Sequence, residues 1–61
     1  MFVIHKEQSA FVTAEEAVAC AKALAKILGE RRTVNTTSGE EVATVFPNGQ
    51  VDLTFFGSRI L

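Results

Sequence analysis

The sequence predicts an α+β fold in which one helix packs on a small antiparallel sheet, in the order strand, helix, strand, strand, strand. Three observations support this class: a capped, alanine-rich helical segment, a change to two-residue periodicity after it, and a Pro-Asn-Gly turn between two apolar segments. A length of 61 residues leaves room for one domain, residues 1–61.

The first two elements are a short strand and the helix. Phe2–Ile4 is β-branched and aromatic, which favours a strand. Thr13 and Glu16 have the spacing of a capping box, in which each side chain bonds to the other residue's backbone amide. Strong helix formers then dominate residues 14–28, and Gly29 follows as a left-handed stop. We therefore expect the helix to cover Ala14 to Leu28.

Three strands are expected after the helix. Residues 33–37 form a weak strand, 41–46 a stronger one and 51–56 the last. The turn Pro47–Gly49 joins the second and third of these.

The turn leaves two hairpin registers open. A two-residue Asn-Gly loop would place one alternating set of side chains on a common face: Val42, Thr44, Phe46, Val51, Leu53 and Phe55. A turn with Pro47 in second position and Gly49 left-handed would instead place Ala43 and Val45 beside Val51, Leu53 and Phe55. The first register sorts the apolar side chains more cleanly onto one face of the sheet. The conformational preferences of the turn, in which Pro47 has no N–H to donate, favour the second. We expect the second.

Either register predicts that the sheet has two apolar faces. Phe55 and Phe56 are adjacent in the expected last strand, so they should point to opposite faces. One alanine-rich helix covers only one face, and the other face would expose aromatic and β-branched groups. We therefore expect a homodimer, formed through the uncovered sheet face or an edge strand. The side chains expected in this or a partner contact are Val42, Phe46 and Phe56.

Composition narrows the possible functions. The chain is 48% hydrophobic with a formal net charge of −1, which excludes a disordered tail and a strongly basic nucleic-acid binder. The single Cys20 cannot form a disulfide within the chain, and with His5 it falls short of a four-ligand metal site. We expect no metal and no cofactor.

No catalytic residues are expected. Cys20 falls on the apolar face of the helix, where a free cysteine behaves as a small hydrophobic group, and the common catalytic motifs are missing. In length and element order the chain is similar to tautomerases of the 4-oxalocrotonate type, which are oligomers that use an amino-terminal proline. Here Phe2 follows Met1 and the only proline is Pro47, so the resemblance is limited to the layout and provides no evidence of that activity.

The expected function is therefore that of a non-enzymatic protein-binding or regulatory module that associates with itself and with a protein partner. An accessory protein, such as a phage or plasmid inhibitor of a host factor, is the closest analogy. A nucleic-acid-associated regulator is an alternative, with contacts from Lys22, Lys26, Arg31 and Arg32. A small oligomeric metabolite binder or enzyme with a site between subunits is another. With no signal-peptide pattern and no long apolar segment, we expect a cytoplasmic location without membrane contact.

Overall fold

Five antiparallel strands and two helices make up the computed structural model, which describes residues 1–61. The elements are β1 (Phe2–Ile4), β2 (Ala10–Phe11), α1 (Ala14–Leu28), β3 (Arg32–Thr36), β4 (Glu41–Val45), β5 (Val51–Leu53) and α2 (Phe55–Ile60). The strands form one sheet in the order β2-β1-β3-β4-β5. The predicted α+β class is confirmed. Neither helix combines the length and the apolar character needed to cross a membrane.

Helix α1 has the predicted bounds because its end signals are local. Thr13 Oγ1 accepts from the Glu16 amide at 3.2 Å, and Glu16 Oε1 accepts from the Thr13 amide at 3.3 Å. At the other end Gly29 has a φ of 68° and donates its N–H to the Ala25 carbonyl at 2.8 Å. Both ends of the helix therefore follow from residues within one turn of the cap.

The core lies between α1 and one face of the sheet. The helix presents a row of alanines at 14, 17, 21 and 25, whose small side chains allow close packing. The sheet supplies the bulkier groups, and its largest fully buried side chains are Ile4, Val34, Val42 and Val45. One layer of helix thus covers one layer of sheet.

A second strand precedes α1, which corrects the predicted element order. The chain reverses after β1 in a turn closed by the Glu7 amide donating to the Ile4 carbonyl at 2.9 Å. Ala10–Phe11 then pairs with β1, with Phe2 opposite Phe11. A strand of two residues has too short a pattern to be predicted from the sequence. These two residues form a strand because they pair with β1.

The last predicted strand, residues 51–56, is wrong in its second half. β5 ends at Leu53, and Thr54 caps α2 by accepting from the Gly57 amide at 2.9 Å. The β-propensity of two phenylalanines favoured a strand, but the cap starts a helix instead. Phe55 and Phe56 therefore do not alternate across a sheet.

The hairpin adopts the register that turn chemistry favours. Val45 pairs with Val51 and Ala43 with Leu53. The Gly49 amide donates to the Phe46 carbonyl at 3.0 Å, and Gly49 has a φ of 93°, so Pro47 takes the second position of the turn. This part of the prediction is confirmed.

The sheet face opposite α1 is mainly polar, which removes the reason for expecting a second layer there. Cross-strand pairs place Val3 beside Asn35, Thr33 beside Thr44, and Thr44 beside Asp52. These residues alternate with the buried ones along each strand, so they point away from α1. The expectation that Phe55 and Phe56 make this face aromatic is wrong, because both lie in α2 and no phenylalanine lies among these pairs.

Candidate functional site

A basic hollow lies where β1 ends, β3 begins and α1 reaches its C-terminus. Its volume is about 340 Å³, and no hydrophobic residue lines it. The lining residues are His5, Lys6, Glu30, Arg31, Arg32 and Thr33. The His5 amide donates to the Thr33 carbonyl at 2.8 Å, which fixes the turn after β1 against the start of β3. Segments far apart in the chain thus form one polar site.

Positive charge is concentrated in this basic hollow. Lys6, Arg31 and Arg32 are three of the six lysine and arginine residues of the chain. Glu30 is the only carboxylate in the lining. The chain as a whole carries a net charge of −1. The basic hollow is therefore a local positive region on a slightly acidic protein.

The guanidinium of Arg32 uses little of its hydrogen-bonding capacity. Nη1 donates to the Arg31 carbonyl at 3.3 Å, a long bond. Nε is buried and has no acceptor. A buried donor without a partner costs free energy, about 1–3 kcal/mol. The guanidinium therefore lies at the basic hollow with N–H groups that no protein acceptor uses.

Lys6 has an unusual backbone conformation at the same place. Its φ is 71°, and it is the only residue other than glycine with a positive φ. The hydrogen bond from Glu7 to Ile4 places Lys6 at the third position of a four-residue turn. Glycine suits such a position best, because a Cβ there is crowded by the backbone.

The second candidate site is an exposed apolar region around α2, here called the Phe55 surface. Its members are Leu53, Phe55, Ile60 and Leu61, with exposed fractions of 45%, 81%, 39% and 41%. Arg59 lies over the Phe55 ring, with its guanidinium carbon 5.7 Å from the ring centre. Phe55 is the most exposed of the large hydrophobic residues.

The free edge of the sheet lies beside the Phe55 surface. The Phe46 amide bonds to the Gln50 carbonyl, and the Thr54 amide bonds to the Val42 carbonyl. In an antiparallel pair the bonding residues alternate, so Val51 and Leu53 direct their N–H and C=O groups away from β4. β5 is an outer strand of the sheet, and these groups form its unpaired edge.

The predicted contact residues have different placements. Val42 is fully buried, because a β-bulge adds it to β4 opposite the step from Val34 to Asn35. Its side chain is not at the surface. Phe46 and Phe56 are half-buried, and Phe56 packs against the core. The exposed ring is that of Phe55. Recognition of Thr54 as a helix cap in the sequence would have predicted this placement.

The four predicted nucleic-acid contacts are only partly brought together. Arg31 and Arg32 line the basic hollow, whereas Lys22 and Lys26 are exposed on α1 and do not line it. His5 and Lys6 complete the basic hollow, but nothing in the local sequence indicates that they meet the arginines. Cys20 is half-buried and packs against the core.

Comparison with protein-family models, curated proteins and solved structures finds no match.

Proposed function

We propose that the protein is a non-enzymatic binding module that acts through protein–protein contact at the Phe55 surface, and that a second copy of the chain is one partner. The observation that carries the proposal is the 81% exposure of the Phe55 side chain next to the unpaired edge of β5. Exposed aromatic rings are typical anchors of protein interfaces. An open strand edge adds main-chain hydrogen bonds to such a contact.

The free energies of burial, hydrogen bonding and association favour a weak dimer. Burying a phenylalanine side chain contributes about 1.5–3 kcal/mol, and each ladder hydrogen bond about 0.5–1.5 kcal/mol. Association costs at least about 4 kcal/mol in lost translational and rotational freedom. Two rings and three edge bonds exceed that cost by at most about 6.5 kcal/mol, so we expect a dissociation constant between about 20 μM and 1 mM.

Asp52 limits how two β5 edges pair. A two-fold register centred on Asp52 would place its carboxylate opposite its own copy, and like charges in that position are destabilising. Gln50, just before β5, donates from Nε2 to Asp52 Oδ1 at 2.9 Å, which partly satisfies that carboxylate. A register shifted off Asp52 avoids the repulsion, and we propose that the dimer uses one.

Sedimentation velocity over a wide concentration range tests the proposal. Phe55→Ser should shift the monomer–dimer transition to higher concentration by tenfold or more, since about 1.4 kcal/mol corresponds to that factor. Ile27→Ser is the matched control, because Ile27 is 78% exposed but lies on α1. A wild-type chain that stays monomeric at millimolar concentration, or equal loss in both variants, would contradict the proposal.

The same proposal includes an unidentified protein partner that competes for the Phe55 surface, a cytoplasmic site of action, and a role as a phage or plasmid accessory factor. The support for these three points is analogy with other short chains that lack a catalytic set. Affinity capture from cells with wild-type protein and Phe55→Ser tests the first of these points, the protein partner. A true partner should be captured by the wild-type protein and lost with the variant.

A nucleic-acid-associated regulator is the second candidate function. The observation that favours it is the joining of Arg31 and Arg32 with Lys6 in one basic hollow. A gel-shift assay at low salt tests it: binding that falls steeply with added salt would support this candidate, and no shift would remove it.

A further inference from the structure

We propose that the basic hollow is a binding site for the phosphate group of an anionic ligand, with contacts from Lys6, Arg31, Arg32 and Thr33. This site lies apart from the Phe55 surface and does not depend on the proposed protein contact. Arginine, lysine and hydroxyl groups are the side chains that commonly bind phosphate oxygens.

The charge balance of the basic hollow favours an anion. Three cationic side chains face one carboxylate, that of Glu30. The C-terminal end of α1 adds about half a negative charge. The cations also interact favourably with that helix end, but their total charge is larger than the half charge there. The net charge around the basic hollow therefore stays positive by about one and a half charges.

The size and lining of the basic hollow specify the part of the ligand that it holds. A volume of about 340 Å³ is far larger than a single water molecule needs, and it leaves room for a phosphate or a diphosphate. No hydrophobic side chain lines the site, and its lining is dominated by charged groups, which bind phosphate oxygens. The phosphate itself is therefore the group that the site would recognise.

Two residues are better explained by a bound anion than by the fold alone. The buried Nε of Arg32 has no acceptor, and an anion that draws the guanidinium into the basic hollow would give it one. Lys6 occupies a left-handed position where glycine would complete the turn without strain. Lysine makes the turn at a net cost in strain, whereas an anion site gains a cation.

An NMR titration with inorganic pyrophosphate tests the site. At constant ionic strength, the amide signals of His5, Lys6, Arg32 and Thr33 should shift and saturate. The side-chain Nε–H signal of Arg32 should shift with the same midpoint, because its surroundings change on binding. A sodium chloride titration provides the comparison for general salt effects.

Two matched variants distinguish pyrophosphate binding at the basic hollow from attraction by the overall charge of the protein. Lys6→Gly should weaken pyrophosphate binding by about tenfold, as expected for the loss of one charge-assisted contact, while the α1 amide signals keep their positions. Lys26→Gln removes one charge from the exposed face of α1 and should change binding by less than about twofold. Equal weakening in both variants, or shifts that do not saturate and match those from chloride, would overturn the proposal.

A short single-stranded oligonucleotide identifies the source of the phosphate. Displacement of pyrophosphate by the oligonucleotide, with shifts that extend to Lys22 and Lys26, would assign the site to a nucleic-acid backbone. Saturable pyrophosphate binding without displacement would assign it to a small phosphate-bearing molecule. Both results support the site, and its failure would leave the proposed contact at Phe55 untouched.

Discussion

Gly57 of α2 lies directly against the carbonyl of Val42 in β4, so closely that a Cβ on Gly57 would overlap the carbonyl oxygen. The same oxygen accepts from the Thr54 amide at 3.0 Å and from the Thr54 hydroxyl at 3.1 Å. These contacts attach the start of α2 to the bulge of β4. They place Phe56 against the core and leave Phe55 in solvent.

Gly57→Ala should therefore destabilise the protein by about 1–3 kcal/mol, because the added methyl group meets backbone atoms that cannot move away. Urea unfolding followed by circular dichroism measures the effect. Ser58→Ala is the control on the neighbouring exposed position and should stay within about 0.5 kcal/mol of wild type. Equal stability of all three chains would mean that α2 does not pack on β4.

Thr54→Val should lower the free energy of unfolding by about 1–2 kcal/mol while keeping the shape of the side chain. The Thr54 hydroxyl donates to the Glu41 carbonyl at 2.7 Å and accepts from the Gly57 amide at 2.9 Å. Thermal unfolding provides the measurement. Thr54→Ser keeps the hydroxyl and should recover most of the loss. Equal stability of the Thr54→Ser and Thr54→Val variants would show that these hydrogen bonds contribute nothing to stability.

Thr13→Ala should destabilise the protein by about 1 kcal/mol through loss of the α1 cap. The alanine leaves the Glu16 amide without the acceptor it has at 3.2 Å. Thr13→Ser, which keeps the hydroxyl, should lie close to wild type in the same urea experiment. A neutral alanine variant would indicate that α1 begins at another residue.

Lys6→Gly should raise the free energy of unfolding by about 0.5–1 kcal/mol. The left-handed conformation costs an L-residue about 1–2 kcal/mol, which exceeds the roughly 0.5–1 kcal/mol of backbone entropy that glycine loses on folding. His5→Gly is the matched control, because His5 does not have a positive φ and gains no relief from strain. Stability that falls equally in both variants would contradict the strain at Lys6.

The helix α1 could be predicted to the residue because its signals are local. Thr13 bonds to Glu16 and Gly29 bonds to Ala25, so both ends are visible in short stretches of sequence. The start of α2 was missed because its cap, Thr54, is held by a bond to Glu41, 13 residues away. Tertiary contact overrode the strand propensity of the two phenylalanines.

The candidate sites were predicted only in part for the same reason. Arg31 and Arg32 stand out as an adjacent basic pair, but their neighbours in the basic hollow come from the turn after β1. The bond from His5 to Thr33 that brings the two segments together spans most of the first half of the chain. Val42 was expected at a contact surface, and a β-bulge, which the sequence pattern does not reveal, buries it.

The most direct test of the proposed contact is the amide exchange of β5 as a function of protein concentration. Val51 and Leu53 direct their N–H groups outward, whereas Asp52 faces Thr44 within the sheet and is the internal reference. If copies pair through this edge, exchange at Val51 or Leu53 should slow in proportion to the dimer fraction while exchange at Asp52 stays constant. Unprotected exchange at both residues at every concentration, with Asp52 still protected, would contradict the account.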